Sequence, residues 1–276
     1  MIKSCVTISL VAPLRDVGPW IYWDALQTSI PKAASAGFDA VELFTASAEA
    51  VNRDELTGLL AENNIKLAAV GTGAGRVLHG LTLTSPDEAV RQKAAEYIGR
   101  MIDFGAVFAA PAIIGSMQGR IDKGTDRGRA LEWLYSALGR LGGRAADGGV
   151  ALILEPLNRY ETNVVNTLQA GVEVIKACGS ENITLLADFF HMNIEEKSIP
   201  RAILSAADGI GHVHFVDSNR RPAGFGHIDL SAAAAALRDI NYEGYASAEA
   251  LPHPDPDAAA RQTMAAFRKA FGGKSK

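Results

Sequence analysis

Short apolar runs alternate along this chain with longer segments whose apolar positions recur every three or four residues, the pattern of strands interleaved with helices. Cys5 to Ala12 alternates and turns at Pro13, reading as a first strand, and Trp23 to Ala36 keeps helical spacing until Gly37 stops it. Asp39 to Phe44 is the second strand, Arg53 to Asn63 a helix, and Ile65 to Val70 a third strand that runs into Gly71-Thr-Gly73-Ala-Gly75. Ser85-Pro86-Asp87-Glu88 opens the next helix, with serine as N-cap, proline first and an acid three after the cap; that helix runs to about Phe104. Val107 to Gly115 is the fourth strand, and Arg127 to Ala146 a long helix with Leu131, Leu134, Leu138 and Leu141 on one stripe. Four further runs, Ala151 to Glu155, Ile183 to Asp188, Gly211 to Val216 and Tyr245 to Glu249, alternate with helices near Leu168 to Cys178, Pro200 to Ala207, Ser231 to Ile240 and Ala258 to Phe271. Eight strand-helix units without a break in composition predict a parallel α/β fold, and the count of eight favours a closed (β/α)8 TIM barrel over a doubly wound open sheet.

Length and composition narrow this further. With 276 residues, 48% of them hydrophobic, the chain can bury one substantial core, and residues 1–276 read as a single barrel domain. A formal charge of −4 and scattered lysines and arginines argue against a nucleic-acid surface. Cys5 and Cys178 lie too far apart in a two-cysteine chain to suggest a disulfide framework or a thiolate zinc site. The first ten residues lack a signal peptide's long apolar stretch, and no apolar run approaches the ~20 residues of a membrane span, so a cytoplasmic protein away from membranes is expected.

The last four strands share one feature. Each carries a metal-binding side chain at or near its carboxyl end: Glu155, Asp188, His214 and Glu249. Enzymes on this barrel work at that end, and strands five and eight stand roughly 135° apart around the axis, so Glu155 and Glu249 face each other across the mouth with Asp188 and His214 between them. Three carboxylates and one imidazole suit a hard divalent ion, Mn²⁺, Mg²⁺ or Co²⁺, better than structural zinc. Such an ion can hold a ketone oxygen and a neighbouring hydroxyl, which acidifies the adjacent C–H. With a glutamate on each face of the resulting enediolate, one takes the proton and the other returns it from the opposite side, inverting the carbon. Epimerisation is the predicted reaction.

Three polar residues just beyond the ligands read as substrate contacts. Glu161 follows Glu155 by six, His191 follows Asp188 by three and Arg220 follows His214 by six, each placed in the loop after its strand. Arg220 could stabilise developing negative charge or pair with a substrate carboxylate. His212 also points inward, as a neighbour or supporting partner rather than a ligand. The Gly71 to Gly75 stretch lacks the spacing of a phosphate or dinucleotide loop and reads as a flexible loop beside the substrate. Trp20, Trp23 and Phe44 could wall the pocket or belong to the core.

These residues resemble a known family. Leu154-Glu155-Pro-Leu-Asn-Arg-Tyr-Glu161-Thr, Asp188-Phe-Phe-His191-Met-Asn, His212-Val-His214 with Ser-Asn-Arg220, and Glu249 are similar to the ketose 3-epimerases within the xylose isomerase-like barrels. The resemblance implies that Glu155, Asp188, His214 and Glu249 bind the metal, that Glu155 and Glu249 are also the acid/base pair, and that Glu161, His191 and Arg220 contact a small sugar. It also implies a homodimer or homotetramer. A narrower similarity, to the branch that epimerises 5-keto-L-gluconate, rests on Gly71-Thr-Gly73, Gly80-Leu-Thr-Leu-Thr-Ser-Pro86, Ile113-Ile-Gly115 with Gly119-Arg120, Gly226-His227-Ile-Asp229 and Glu249-Ala-Leu-Pro252. It suggests a ketonic sugar acid as substrate, with Arg220, Arg120 or His227 supplying positive charge. Phe189 departs from the threonine usual there, and Arg15 to Trp23 is a first loop without a match.

The nearest competing reaction is aldose-ketose isomerisation of the hydroxypyruvate or xylose isomerase kind, which uses a similar metal set but moves the carbonyl. Phosphodiester cleavage on the same barrel needs more histidines and a basic face than this chain offers, and a non-catalytic sugar-binding module leaves the opposed glutamates without a task.

Overall fold

The computed structural model describes residues 1–15 and 17–272, so that Asp16, within the unmatched first loop, lies outside the described residues. Eight strands, β1 Lys3–Ser9, β2 Ala40–Phe44, β3 Lys66–Gly71, β4 Ala112–Ile114, β5 Leu152–Leu154, β6 Ile183–Asp188, β7 Ile210–His214 and β8 Tyr245–Ala248, pair in parallel and in sequence order. The ring closes where Lys3 to Val6 of β1 pair with Tyr245 to Ala248 of β8. This is the (β/α)8 barrel that the hydrophobic pattern predicts.

Alternation along each strand sends one set of side chains inward and the other toward the helices. Ala69, Ile113, Ile153 and Leu186 form a small buried cluster of their own from β3 to β6, a layer of the barrel interior. The outward set merges with the helices into the main core, and α5 (Arg127–Asp147) shows how: Ala130, Leu134, Ala137, Leu138 and Leu141 form one buried stripe, with Leu131 half-buried at its edge. At roughly 25 cal/mol per Å² of apolar surface removed from water, each fully buried leucine contributes about 2 kcal/mol.

Eight helices are expected from the pattern; the described residues hold four short 3-10 turns and ten α-helices. Besides α5 these are α1 Leu26–Ala36, α2 Arg53–Glu62, α3 Ala74–His79, α4 Glu88–Ala106, α6 Leu168–Cys178, α7 Phe189–Glu195, α8 Ile199–Ala206, α9 Leu230–Asp239 and α10 Pro256–Phe271. The two unexpected ones, α3 and α7, follow strands at the carboxyl end of the barrel. Residues 71–75, expected to be a flexible loop, instead lead into α3, which Gly80 terminates at φ +66°. Two boundaries also differ. The α4 cap is Asp87 rather than Ser85, because the Asp87 carboxylate accepts from the Ala89 N–H at 2.8 Å while the Ser85 hydroxyl serves the turn before it. The fourth strand is shorter than Val107 to Gly115: residues 107–110 wrap back on the end of α4, with the Phe108 and Ala110 amides donating to Gly105, and Ala109 sits at φ +54°. No helix among the described residues is long and apolar enough to cross a membrane.

Candidate active site

The carboxyl ends of β5 to β8 bring four side chains to one point. One ligand atom each from Glu155, Asp188, His214 and Glu249 lies within 4.8 Å of the others, and all four residues are buried. His214 Nδ1 is the hub, 3.0 Å from Asp188 Oδ2, 3.4 Å from Glu155 Oε1 and 3.6 Å from Glu249 Oε2.

Local structure accounts for how each arrives there. Asp188 closes β6 and caps α7: its Oδ1 accepts from the Phe190 and His191 amides, which leaves Oδ2 for the cluster. That cap starts a helix at once, so His191 stands on the first turn of α7 and not in a loop as expected. Phe189, where threonine is usual, packs edge-on against Phe215 in the core. Behind Glu155, the buried Gln118 side chain donates to its backbone carbonyl at 2.9 Å and accepts from Val165. Gly115 lies so close that any Cβ would collide with the Glu155 carboxylate.

His191 is poised as a donor. Its Nδ1 lies 3.2 Å from the Asn158 amide and 2.8 Å from the Asn158 side-chain nitrogen, both donors, so the ring proton belongs on Nε2. Burial lowers the His191 pKa and keeps the ring neutral, despite the pull of Asp188. Nε2 has no protein partner and lies 3.8 Å from Glu155 Oε1 and 3.9 Å from Asp188 Oδ2.

Arg220 ties the two sides together, donating from Nη1 to Glu161 at 3.0 Å and from Nη2 to Glu249 at 2.9 Å while its guanidinium lies 4.9 Å from the Phe190 ring centre. Its backbone sits at φ +57°, which costs about 1 to 3 kcal/mol for a non-glycine residue. Asp217 organises that turn by accepting from the Ser218, Gly224 and Ile228 amides.

The electrostatics fit a cation. Burial, helped by repulsion from Glu249 and Asp188, pushes the Glu155 carboxyl up to about 8 against the pull of His214, and burial raises Glu249 as well. Burial opposes ionisation of Asp188 too, but His191, His214 and Arg220 outweigh it and hold that carboxyl below its usual range. Glu155 Oε1 and His191 Nε2 are buried without hydrogen-bond partners, at a point where an ion and its ligands would supply them. Three oxygens and one imidazole nitrogen gathered in this way can hold a divalent metal ion.

Above the cluster opens a cavity of about 300 Å³. Glu155, Glu161, His191, Arg220 and Glu249 line its polar side; Trp20, Phe44, Val77 and Leu157 line the other. Trp20 and Phe44 therefore wall the pocket, their rings 4.9 Å apart, and Trp23 packs edge-on behind Trp20 at 5.3 Å. Arg120 and His227 are exposed and absent from the lining: Arg120 reaches toward the Tyr160 carbonyl, and His227 bonds with Ser218.

One buried residue stands behind the site with no role in the sequence reading. Glu42, in the middle of β2, places Oε2 2.7 Å from His212 Nε2 and Oε1 3.1 Å from His214 Nε2. Its signal was available, since a carboxylate flanked by Val41 and Leu43 inside a buried strand must find a partner.

Fold and site together define the class: a (β/α)8 barrel enzyme with an acidic cluster at the carboxyl ends of its strands. The chain belongs to the xylose isomerase-like TIM barrel family, whose model matches residues 30–270. It is similar to the D-psicose 3-epimerase of Agrobacterium fabrum (strain C58), 33% identical over 225 residues that cover 78% of this chain and 75% of that protein. An L-ribulose 3-epimerase of Methylomonas sp. (strain DH-1) is 30% identical over 253 residues, 89% of this chain and 86% of that one. Among solved structures, a D-psicose 3-epimerase crystallised in the presence of D-fructose superposes with a TM-score of 0.80 at 27% identity, covering 99% of this chain and all of that one. These relatives are epimerases, and the chain is an enzyme of the isomerase class, as they are.

Proposed function

We propose that this chain is a metal-dependent epimerase that inverts C3 of a neutral ketose. The observation that carries the reading is the convergence of Glu155, Asp188, His214 and Glu249, with the two glutamates delivered from β5 and β8. The names of the relatives support the reaction and the substrate class.

In this reading Glu155, Asp188, His214 Nδ1 and Glu249 would hold a divalent ion, with Mn²⁺, Mg²⁺ and Co²⁺ as candidates for this oxygen-rich set. When bound, the ion polarises the ketone and lowers the pKa of the neighbouring C–H. The protein's own residues do the rest. One glutamate of the pair, ionised, removes the C3 proton and becomes the acid, while the other, protonated at the start, returns its proton to the opposite face of the enediolate and is left as the carboxylate, so that the pair ends with its roles exchanged. His191 Nε2–H donates to the sugar oxygen on which negative charge develops. Arg220 holds Glu249 and Glu161 in place, and Trp20 and Phe44 close off the apolar side of the cavity.

Charge favours a neutral sugar over a sugar acid. Arg220 is the guanidinium of the cavity, and each of its terminal nitrogens already donates to a carboxylate, Nη1 to Glu161 and Nη2 to Glu249. With one glutamate protonated as the acid, the three remaining carboxylates among Glu155, Glu161, Asp188 and Glu249 offset Arg220 and a divalent ion, so the cavity keeps no net positive charge to pair with a substrate carboxylate. Arg120 and His227, the other cations considered for a sugar acid, stand outside the cavity.

Incubation of ketohexoses with Mg²⁺-loaded protein in D₂O, followed by ¹H NMR, tests the proposal. The expected product carries one deuterium at an inverted C3 with the carbonyl still at C2. An aldose product, formed by carbonyl migration, would reject epimerisation in favour of aldose-ketose isomerisation.

A further inference from the structure

The triangle behind the metal cluster has a physical role of its own. Glu42, His212 and His214 are all buried, and each Glu42 carboxylate oxygen meets one imidazole nitrogen, at 2.7 Å for His212 Nε2 and 3.1 Å for His214 Nε2. The two rings stand nearly perpendicular, at 84° with centroids 5.6 Å apart. Alternation places His212 and His214 on the same inward face of β7, and Glu42 reaches them from β2 across the barrel interior.

We infer that Glu42 and His212 are positioning residues that aim His214 at the metal, an inference that rests on the proposed function. A neutral imidazole has one N–H and one lone pair. A carboxylate at Nε2 draws the proton to that nitrogen, which leaves the lone pair on Nδ1, the atom that faces Asp188, Glu155 and Glu249. Flipping the ring would break the Glu42 bond and leave a buried carboxylate oxygen unpartnered, a cost that holds the ring in one orientation. His212 performs the same service one step back, because its bond to the second oxygen prevents the Glu42 carboxylate from rotating away.

The same three residues also gather one ligand atom each within 4.8 Å, close enough to be considered for an ion of their own. The 2.7 Å separation of Glu42 and His212 is that of a hydrogen bond with the proton between the atoms, and the inference predicts one ion per chain, not two.

The test uses full-length protein stripped of metal and titrated with Co²⁺, read by calorimetry and by visible absorption, for wild type and Glu42→Gln. The expected result is one ion per chain in both, with affinity about 10- to 100-fold weaker in the variant and a shifted Co²⁺ band, since loss of a supporting hydrogen bond changes ligand orientation. A merely structural Glu42 would lower thermal stability without moving that band. In parallel, imidazole ¹⁵N NMR of the Mg²⁺-loaded wild type reads the tautomer directly and does not depend on the variant folding; it is expected to show His214 protonated on Nε2. An unchanged affinity and spectrum, a His214 proton on Nδ1, or a wild type that binds two ions of which Glu42→Gln removes one would each overturn the inference. A wild type that binds no divalent ion would sink the proposed function, and the inference with it.

Discussion

The two halves of the barrel do different work. Strands β5 to β8 deliver all four ligand atoms of the cluster, together with Glu161, His191 and Arg220 from the segments that follow them. Strands β1 to β4 bring no ligand atom to it; they contribute the buried Glu42 and the cavity wall of Trp20, Phe44, Gly71 and Val77. In the proposed function this difference separates chemistry from fit on one scaffold: strands that end on an acid or an imidazole would set the reaction, and those that end on aromatic and small residues would set the shape of the space.

If that division holds, the largest effect comes from the second half. Glu155→Gln or Glu249→Gln is expected to lower kcat by about 10³-fold or more, because a positioned acid or base contributes on the order of 10² to 10⁴ and each glutamate also binds the ion. Steady-state kinetics with circular dichroism as a folding control would show it; a loss under 10-fold would break the comparison. In the first half, Trp20→Ala is expected to raise KM about 10-fold while kcat changes by less than a factor of about three, since it removes roughly 1.4 kcal/mol of aromatic wall and no reacting group. A collapse of kcat instead would assign chemistry to the wrong half.

A smaller effect concerns stability. An ion that binds the native barrel at about 100 times its Kd adds about 2.7 kcal/mol, so chelation is expected to lower Tm by roughly 5 to 10 °C in a chain of this size. Differential scanning calorimetry with and without chelator measures it, and Asp188→Asn is expected to abolish most of the difference. The smallest effects are expected at Arg120→Ala and His227→Ala, which should leave KM for neutral ketoses within about twofold, because both side chains stand outside the cavity. A strong effect confined to acidic sugars would sharpen the substrate assignment in the other direction.

The same contrast explains what could be read before the structure. The second half was legible because each of its strands announces itself twice, by a run such as Leu152-Ile-Leu154 and by the ligand-type residue at its end. Glu42 is legible only in part: its place between Val41 and Leu43 in a buried strand signals that it needs a partner, but His212 and His214 lie some 170 residues away and local spacing carries no trace of them. Helix α7 was hidden by the double use of Asp188, read as a strand end and a ligand while its other oxygen caps a helix. The pattern overextends the fourth strand because Val107 and Phe108 look like strand residues, yet their backbone closes α4, where amide bonding to Gly105 decides. Tertiary context overrode propensity in that last case.

The most direct measurement is anomalous diffraction from a crystal loaded with Mn²⁺. The account predicts one strong peak per chain, coordinated by Glu155, Asp188, Nδ1 of His214 and Glu249, with Nε2 of His214 still bonded to Glu42. A peak held elsewhere, or one in which His214 has turned its other nitrogen to the ion, would contradict it.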